Sequence, residues 1–202
     1  MSTWFTKYMG IFLVFSFLIA PSTATADDKT SRLQKIEANG GFMAWHAENA
    51  QGTKVKWGVV DALLPASAET TIKLFRDYDN YKKFLKFFTT TKVLSKDDSK
   101  AIVRLKATIA GGTVKLKATA TMTEESKANG DTHFKLRYRK GNVKRLDGDW
   151  VVTPIDDKSC LVKMRLLVDP DLWLVSNDQL SDYNLVNSRR TFRSIKKILD
   201  SK

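Results

Sequence analysis

The sequence predicts an α+β fold, a curved antiparallel sheet wrapped on one long C-terminal helix. Two observations carry this prediction. Over residues 91–168, short alternating segments are separated by Gly- and Asp-containing turns, the pattern of an antiparallel meander. Residues 176–202 then contain no Gly or Pro, and Leu185, Ser188, Phe192, Ile195 and Leu199 recur at steps of three and four, the spacing of an amphipathic helix. A sheet with one apolar face and a helix with one apolar stripe are each incomplete alone, and packing one on the other completes both.

The opening segment has a lone cation, Lys7, an apolar run over residues 10–20, then Pro21 and the small tripeptide Ala24-Thr25-Ala26. This is the order of a cleavable secretory signal. The run is about half of the ~20 residues a membrane-spanning helix needs. Residues 1–26 are therefore expected to be removed near Ala26, leaving a single domain, 27–202, in a periplasmic or secreted setting. There is no cysteine near that point to take a lipid and no Arg pair ahead of the run. The expected mature chain holds 33 Lys and Arg against 22 Asp and Glu, a net charge of +11. Its one cysteine, Cys160, excludes an intramolecular disulfide. It alternates with Val162, Met164 and Leu166, which makes it a small buried hydrophobe rather than a nucleophile.

The mature chain opens on a short helix over residues 27–39, with Leu33 and Ile36 at helical spacing and Asn39-Gly40-Gly41 as its stop. A hairpin of strands 42–48 and 54–62 follows. In the second strand Val55, Trp57 and Val59 alternate with Lys54, Lys56 and Gly58, the period of a half-buried strand. A helix opens at residues 65–68, capped by Ser67, with Ile72, Leu74 and Phe75 on its apolar side. Residues 77–80 break it, and a second short helix is expected over 81–88, with Phe87 left over from its apolar spacing. Six strands then fall at 92–95, 101–109, 113–122, 132–139, 149–155 and 159–168. Their turns are at 96–99, 110–112, 129–130, 147–148 and 156–158.

Strand parity divides these residues between two faces. The apolar set is Val103, Leu105, Ala107 and Ile109, then Val114, Leu116, Ala118, Ala120 and Met122, then Phe134, Leu136 and Tyr138. Ala107, Ala118 and Ala120 are small where a packed sheet usually carries larger residues, and Ser188 is small on the facing helix. This leaves volume. Either Trp45, Trp57 or Trp150 fills it, or it is an apolar pocket of the kind that takes small molecules. The opposite set is Arg104, Lys106, Lys115, Lys117, Lys135, Arg137 and Arg139. Such a row reads either as a solvated face or as a surface attracted to anionic lipid headgroups. Nucleic acid is not expected, because the chain is exported and the row offers no aromatic platform.

The chain from about residue 41 to 199 resembles the START-like (SRPBCC, helix-grip) superfamily of lipid-transfer domains, polyketide cyclase-like proteins and mitochondrial ubiquinone-binding proteins. The matching features are Val59-Val60-Asp61-Ala62 with Pro65, then Phe75-Arg76-Asp77-Tyr78-Asp79-Asn80-Tyr81, then Gly148-Asp149-Trp150 with Pro154, and Val168-Asp169-Pro170 ahead of a Trp and the last helix. The resemblance implies a hydrophobic tunnel between sheet and C-terminal helix. The expected ligand-binding residues are Trp57, Leu105, Ala107, Leu116, Ala118, Ala120, Phe134, Leu136, Tyr138, Trp150, Met164, Trp173, Leu185, Ser188 and Phe192. Lipid-transfer members often carry a Gly-rich, Pro-containing stretch where this chain has Asp171-Leu172-Trp173-Leu174-Val175. Trp173 is therefore read as a plug for the mouth, a membrane anchor or a cap on the core.

The function implied is binding of a lipid, sterol, quinone or similar ligand for transport or sensing, by a monomer in transient contact with an anionic membrane. The alternative is a polyketide cyclase/dehydratase-like enzyme using Tyr138, Tyr183 or Ser188. A third reading is an interaction module with a closed pocket. No cofactor and no metal are expected, because His46 and His133 lie on separate strands and no Cys or carboxylate cluster has ligand spacing.

Overall fold

The computed structural model describes residues 24–109, 114–170, 172, 173 and 175–201. Most of the expected signal segment, the turn at 110–112, Asp171 and Leu174 lie outside the described residues. Among the described residues three α-helices, α1 (Ala24–Ala38), α2 (Ala68–Arg76) and α3 (Asn177–Asp200), accompany eight strands. The strands are β1 (Met43–Glu48), β2 (Trp57–Leu64), β3 (Phe88–Lys96), β4 (Lys100–Ile109), β5 (Val114–Ser126), β6 (Thr132–Gly141), β7 (Arg145–Pro154) and β8 (Cys160–Asp169). They form one antiparallel sheet in the order β1-β2-β8-β7-β6-β5-β4-β3. The expected meander, hairpin and terminal helix are all present.

Local chemistry explains the helix boundaries. The Ser67 hydroxyl accepts a hydrogen bond from the Thr70 amide at the start of α2. Ser176 and Gln179 form a reciprocal capping box at the start of α3. α1 begins at Ala24, three residues before the expected mature start at Asp27, and its Arg32 and Ile36 lie well past that point. Among the described residues no helix is long and apolar enough to cross a membrane.

Two expected elements come out differently. In place of a helix over 81–88 there is a 3₁₀ turn at Tyr78–Lys83, and Phe88 already begins β3. Asp147-Gly148, read as a turn, lies inside β7, and the chain reverses near Asn142 to Lys144 instead. The Trp150 ring explains the glycine, since a Cβ at residue 148 would stand 2.5 Å from it. Gly148 thus makes room for a buried indole rather than bending the chain.

β2 is buried on both faces, whereas its sequence reads as half-buried. Val60, Ala62 and Leu64 join the main core, while Trp57, Val59 and Asp61 have the opposite parity. On that second face Ile36 of α1 packs with Ala44 and Leu161. The Arg32 Nε donates to Asp61 Oδ1 at 2.6 Å, and both side chains are buried. α3 lies against β2, and to a lesser extent β8 and β1, from the core side.

Candidate functional site: an apolar cavity at one end of the sheet

Inside the curve of the sheet the inward-facing residues form one contiguous core, and its largest fully buried side chains are aromatic. Trp150, Tyr81, Phe75, Phe84, Phe134 and Phe192 are all fully buried. Phe75 meets Phe84 and Phe134 edge-on at 6.1 and 5.8 Å between centroids, within the range for attractive aromatic pairs. The Tyr81 hydroxyl donates to the Phe75 carbonyl at 2.7 Å, and burial holds its phenol well above the usual tyrosine range. Of the three tryptophans weighed as fillers, Trp150 fills the interior. Trp45 lies under the Arg189 guanidinium at 3.9 Å.

What remains open is an apolar cavity of about 20 Å³. Leu105 and Ala107 of β4, Leu116 and Ala118 of β5, and Val168 of β8 form its strand walls. Phe87, Phe88, Val143 and Leu146 complete it from the loop ends. All the strand residues sit close to the end of the sheet where β4 stops, β5 starts, β6 turns into β7 and β8 leads to α3. No polar side chain lines the cavity among the described residues.

Four of the fifteen expected residues, Leu105, Ala107, Leu116 and Ala118, thus line the cavity. Ala120, Phe134, Leu136, Trp150, Met164 and Phe192 belong to the surrounding core, and Tyr138 packs against its margin. Ser188 is buried, but its hydroxyl donates to the Gly58 carbonyl at 3.1 Å and ties the helix to β2.

Three expectations are corrected. Trp57 points away from the core into a second cluster with Val59 and Leu167, its ring under Arg165 at 4.6 Å and Arg145 at 5.7 Å. Leu185 is half-buried and outside the core clusters, because the neighbouring Asn184 takes the inward position. Trp173 is 89% exposed, so it neither plugs a mouth nor caps the core.

The inward stripe of α3 is more polar than its sequence period suggests. Ser181, Asn184, Asn187, Ser188 and Thr191 are buried along it. Asn184 accepts from the Val168 amide at 3.1 Å and donates to the carbonyls of Lys56 and Val168. The Lys56 amide donates to the Ser181 hydroxyl at 2.9 Å. These side chains satisfy backbone groups that the ends of β2 and β8 leave unpaired, as buried peptide groups require.

Sequence reasoning missed Phe87, Phe88, Val143, Leu146 and Val168. Phe87 had a signal, since it did not fit the apolar spacing of the expected short helix. Val168 shares the parity of Met164 and Leu166. Val143 and Leu146 were hidden because β7 was started too late.

Ser188, Tyr183 and Cys160 are engaged otherwise, and Tyr138 is partly buried at the margin of the core. The Tyr183 hydroxyl donates to the Thr108 carbonyl at 3.3 Å, and burial pushes its phenol up, away from a basic role at neutral pH. The buried Cys160 thiol lies 3.2 Å from the Thr71 hydroxyl, and burial raises it, which opposes thiolate chemistry. Among the described residues no group of three or more His, Cys, Asp or Glu is placed to hold a metal ion.

Comparison with known proteins agrees with this fold. The ribosome association toxin RatA of Escherichia coli is 25% identical over 105 residues, covering 52% of this chain and 63% of that protein. The match therefore spans less than two thirds of the relative. Among solved structures, a STAR-related lipid transfer protein from Xanthomonas axonopodis superposes with a TM-score of 0.68 at 15% identity, covering 78% of this chain and 93% of that one. The Zhui aromatase/cyclase from Streptomyces sp. R1128 gives 0.52 at 12% identity, with 78% and 94% covered. At these identities the likeness is one of fold. The polyketide cyclase / dehydrase and lipid transport family matches residues 64–178, more than half of the sequence, and the chain belongs to that family.

Proposed function

We propose that this protein is exported and binds a hydrophobic ligand, a lipid, sterol, quinone or similar molecule, for transport or sensing, in the apolar cavity at the end of the sheet, which no α3 residue lines, rather than in the expected tunnel between sheet and C-terminal helix. The observation that carries this reading is the wholly apolar lining of the cavity, four of whose walls are residues that sequence parity alone placed inside. Small Ala107 and Ala118 keep it open. At about 20 Å³ it holds roughly one water-sized group, so a lipid chain enters only as the wall moves. The strand walls are fixed by the sheet ladder. The walls free to move are those from connections, Phe87 ahead of β3 and Val143 between β6 and β7. Burial of about ten methylenes gains roughly 8 kcal/mol before the cost of that opening. The apolar lining gives a cyclase no acid or base at this place, so the carrier reading is preferred to the enzyme.

The test is native mass spectrometry of the full-length gene product recovered from its own cell compartment, followed by extraction of whatever is bound. One hydrophobic molecule per chain is expected, on a polypeptide beginning near Asp27. Ala118→Val, which takes up the free volume, should lose the ligand while keeping its circular dichroism. A protein that carries nothing and takes up no member of a fatty acid, phospholipid and quinone panel overturns the reading.

A further inference from the structure

The outer face of β3–β6 carries Lys92, Arg104, Lys106, Lys115, Lys117 and Lys140, and among the described residues none of them is ion-paired. β3, β4 and β6 contain no Asp or Glu, and β5 has only Glu124 and Glu125 at its far end. Two pairs of cations face each other directly across strands, Lys92 with Arg104 and Lys106 with Lys117. Like charges so placed repel and weaken the sheet. Protection of an exposed edge does not account for them, since β4, β5 and β6 are paired on both sides and β3 is the edge.

The backbone is shaped to complete the cluster. Lys140 pairs with Thr119 and Tyr138 with Ala120, so Arg139 is an extra, bulged residue. Without that bulge the side chain of Lys140 would turn inward with Tyr138. Bulges re-aim side chains in this way. Gly141 follows with φ 149°, and a Cβ there would collide with the Lys117 backbone, so only glycine fits. The result is an open groove of about 320 Å³ bordered by Arg104, Lys106, Lys117, Thr119 and Lys140.

We propose that this face docks the protein on a membrane rich in anionic phospholipid, the headgroup phosphates lying along the cation rows. The charges are mostly lysines interleaved with threonines, and no ring stands among them for a base to stack on, which favours a plane of phosphates over nucleic acid. Lys106, Lys115, Lys117 and Lys140 gather toward the end of the sheet from which the 170–176 connection leaves. Trp173, 89% exposed, projects from that connection. An exposed indole at the same end of the sheet as clustered lysines is suited to the headgroup boundary. The inference does not depend on what the cavity holds.

The test is co-sedimentation with vesicles of phosphatidylcholine alone or with one third phosphatidylglycerol, at low and high salt. Binding is expected only to the anionic vesicles and is lost at high salt. The double variant Lys106→Glu/Lys117→Glu should partition at least about 30-fold more weakly, at about fivefold per charge. Lys158→Glu/Lys197→Glu, equal in net charge but on exposed sites elsewhere, should change it only a few-fold. Trp173→Ala should weaken binding without changing its salt dependence. If the first double variant does not fold, Lys115→Ser/Lys140→Ser reads the same face. Equal loss in both double variants, equal binding to neutral vesicles, or displacement from anionic vesicles by an RNA oligonucleotide at the same salt overturns the proposal.

Discussion

In the half of the sheet made of β1, β2, β8 and β7, α3 and the core cover one face, α1 covers part of the other, and outward cations meet carboxylates. Arg165 pairs with Glu48, Arg145 with Asp147 and Arg32 with Asp61. In the half made of β3 to β6, one face closes over the aromatic core and the other is bare and cationic. The first half is held from both sides and serves as scaffold. The second leaves an apolar cavity on its inner face and an unneutralised charge row on its outer one, and both proposals rest there.

The contrast can be broken at Gly58, where a Cβ would fall inside van der Waals contact of the Asn184 carbonyl. Gly58→Val should push α3 off β2 and cost about 3 kcal/mol, the upper part of the range for overpacking. Urea unfolding should show a lowered midpoint. A midpoint equal to that of the parent would mean that α3 does not hold the scaffold half as described.

A break of equal or greater size lies at the buried ion pair under α1. Arg32→Ala leaves Asp61 buried without its partner and should cost about 3–5 kcal/mol, whereas Arg32→Met/Asp61→Leu should restore much of the loss. If the double variant is no more stable than the single, the cost of Arg32→Ala comes from lost packing of α1 rather than from an orphaned charge.

The smallest effect sharpens the comparison on the outer face. Lys106→Thr removes one of two directly opposed cations and should leave stability unchanged or raise it by up to about 1 kcal/mol. Arg137→Thr, which removes the partner of Asp149 and hydrogen bonds to the Leu136 and Gly148 carbonyls, should lower it by about 1 kcal/mol. Thermal melts at low salt distinguish the two, and equal losses would erase the difference between an opposed cation and a paired one on this face.

The candidate site was legible where it depends on strand parity. Leu105, Ala107, Leu116 and Ala118 could be placed inside because each alternates with a lysine, an arginine or a threonine. It was illegible at Trp57, whose parity fits a half-buried strand equally well on either face. Only tertiary packing makes both faces of β2 interior, with Val55, Leu167 and, from α3, Leu180 closing over Trp57 and Val59 while α1 covers Asp61. Leu185 misled for a related reason. An apolar period marks the stripe that seeks burial against side chains, whereas α3 docks on exposed backbone at Lys56, Gly58 and Val168, which calls for Asn and Ser.

By itself the sequence determined the strand succession, the two-faced pattern of the meander, the cap at Ser67 and the terminal helix. Each of these rests on interactions within a few residues or on a repeat of two or of three to four. Tertiary structure alone decided that Gly148 belongs to a strand, that Trp150 and not Trp57 fills the interior, and that a cavity of about 20 Å³ remains. The physical reason is that volume is left over or filled by side chains from Phe87 to Val168, which lie far apart along the chain and meet only when the sheet curves.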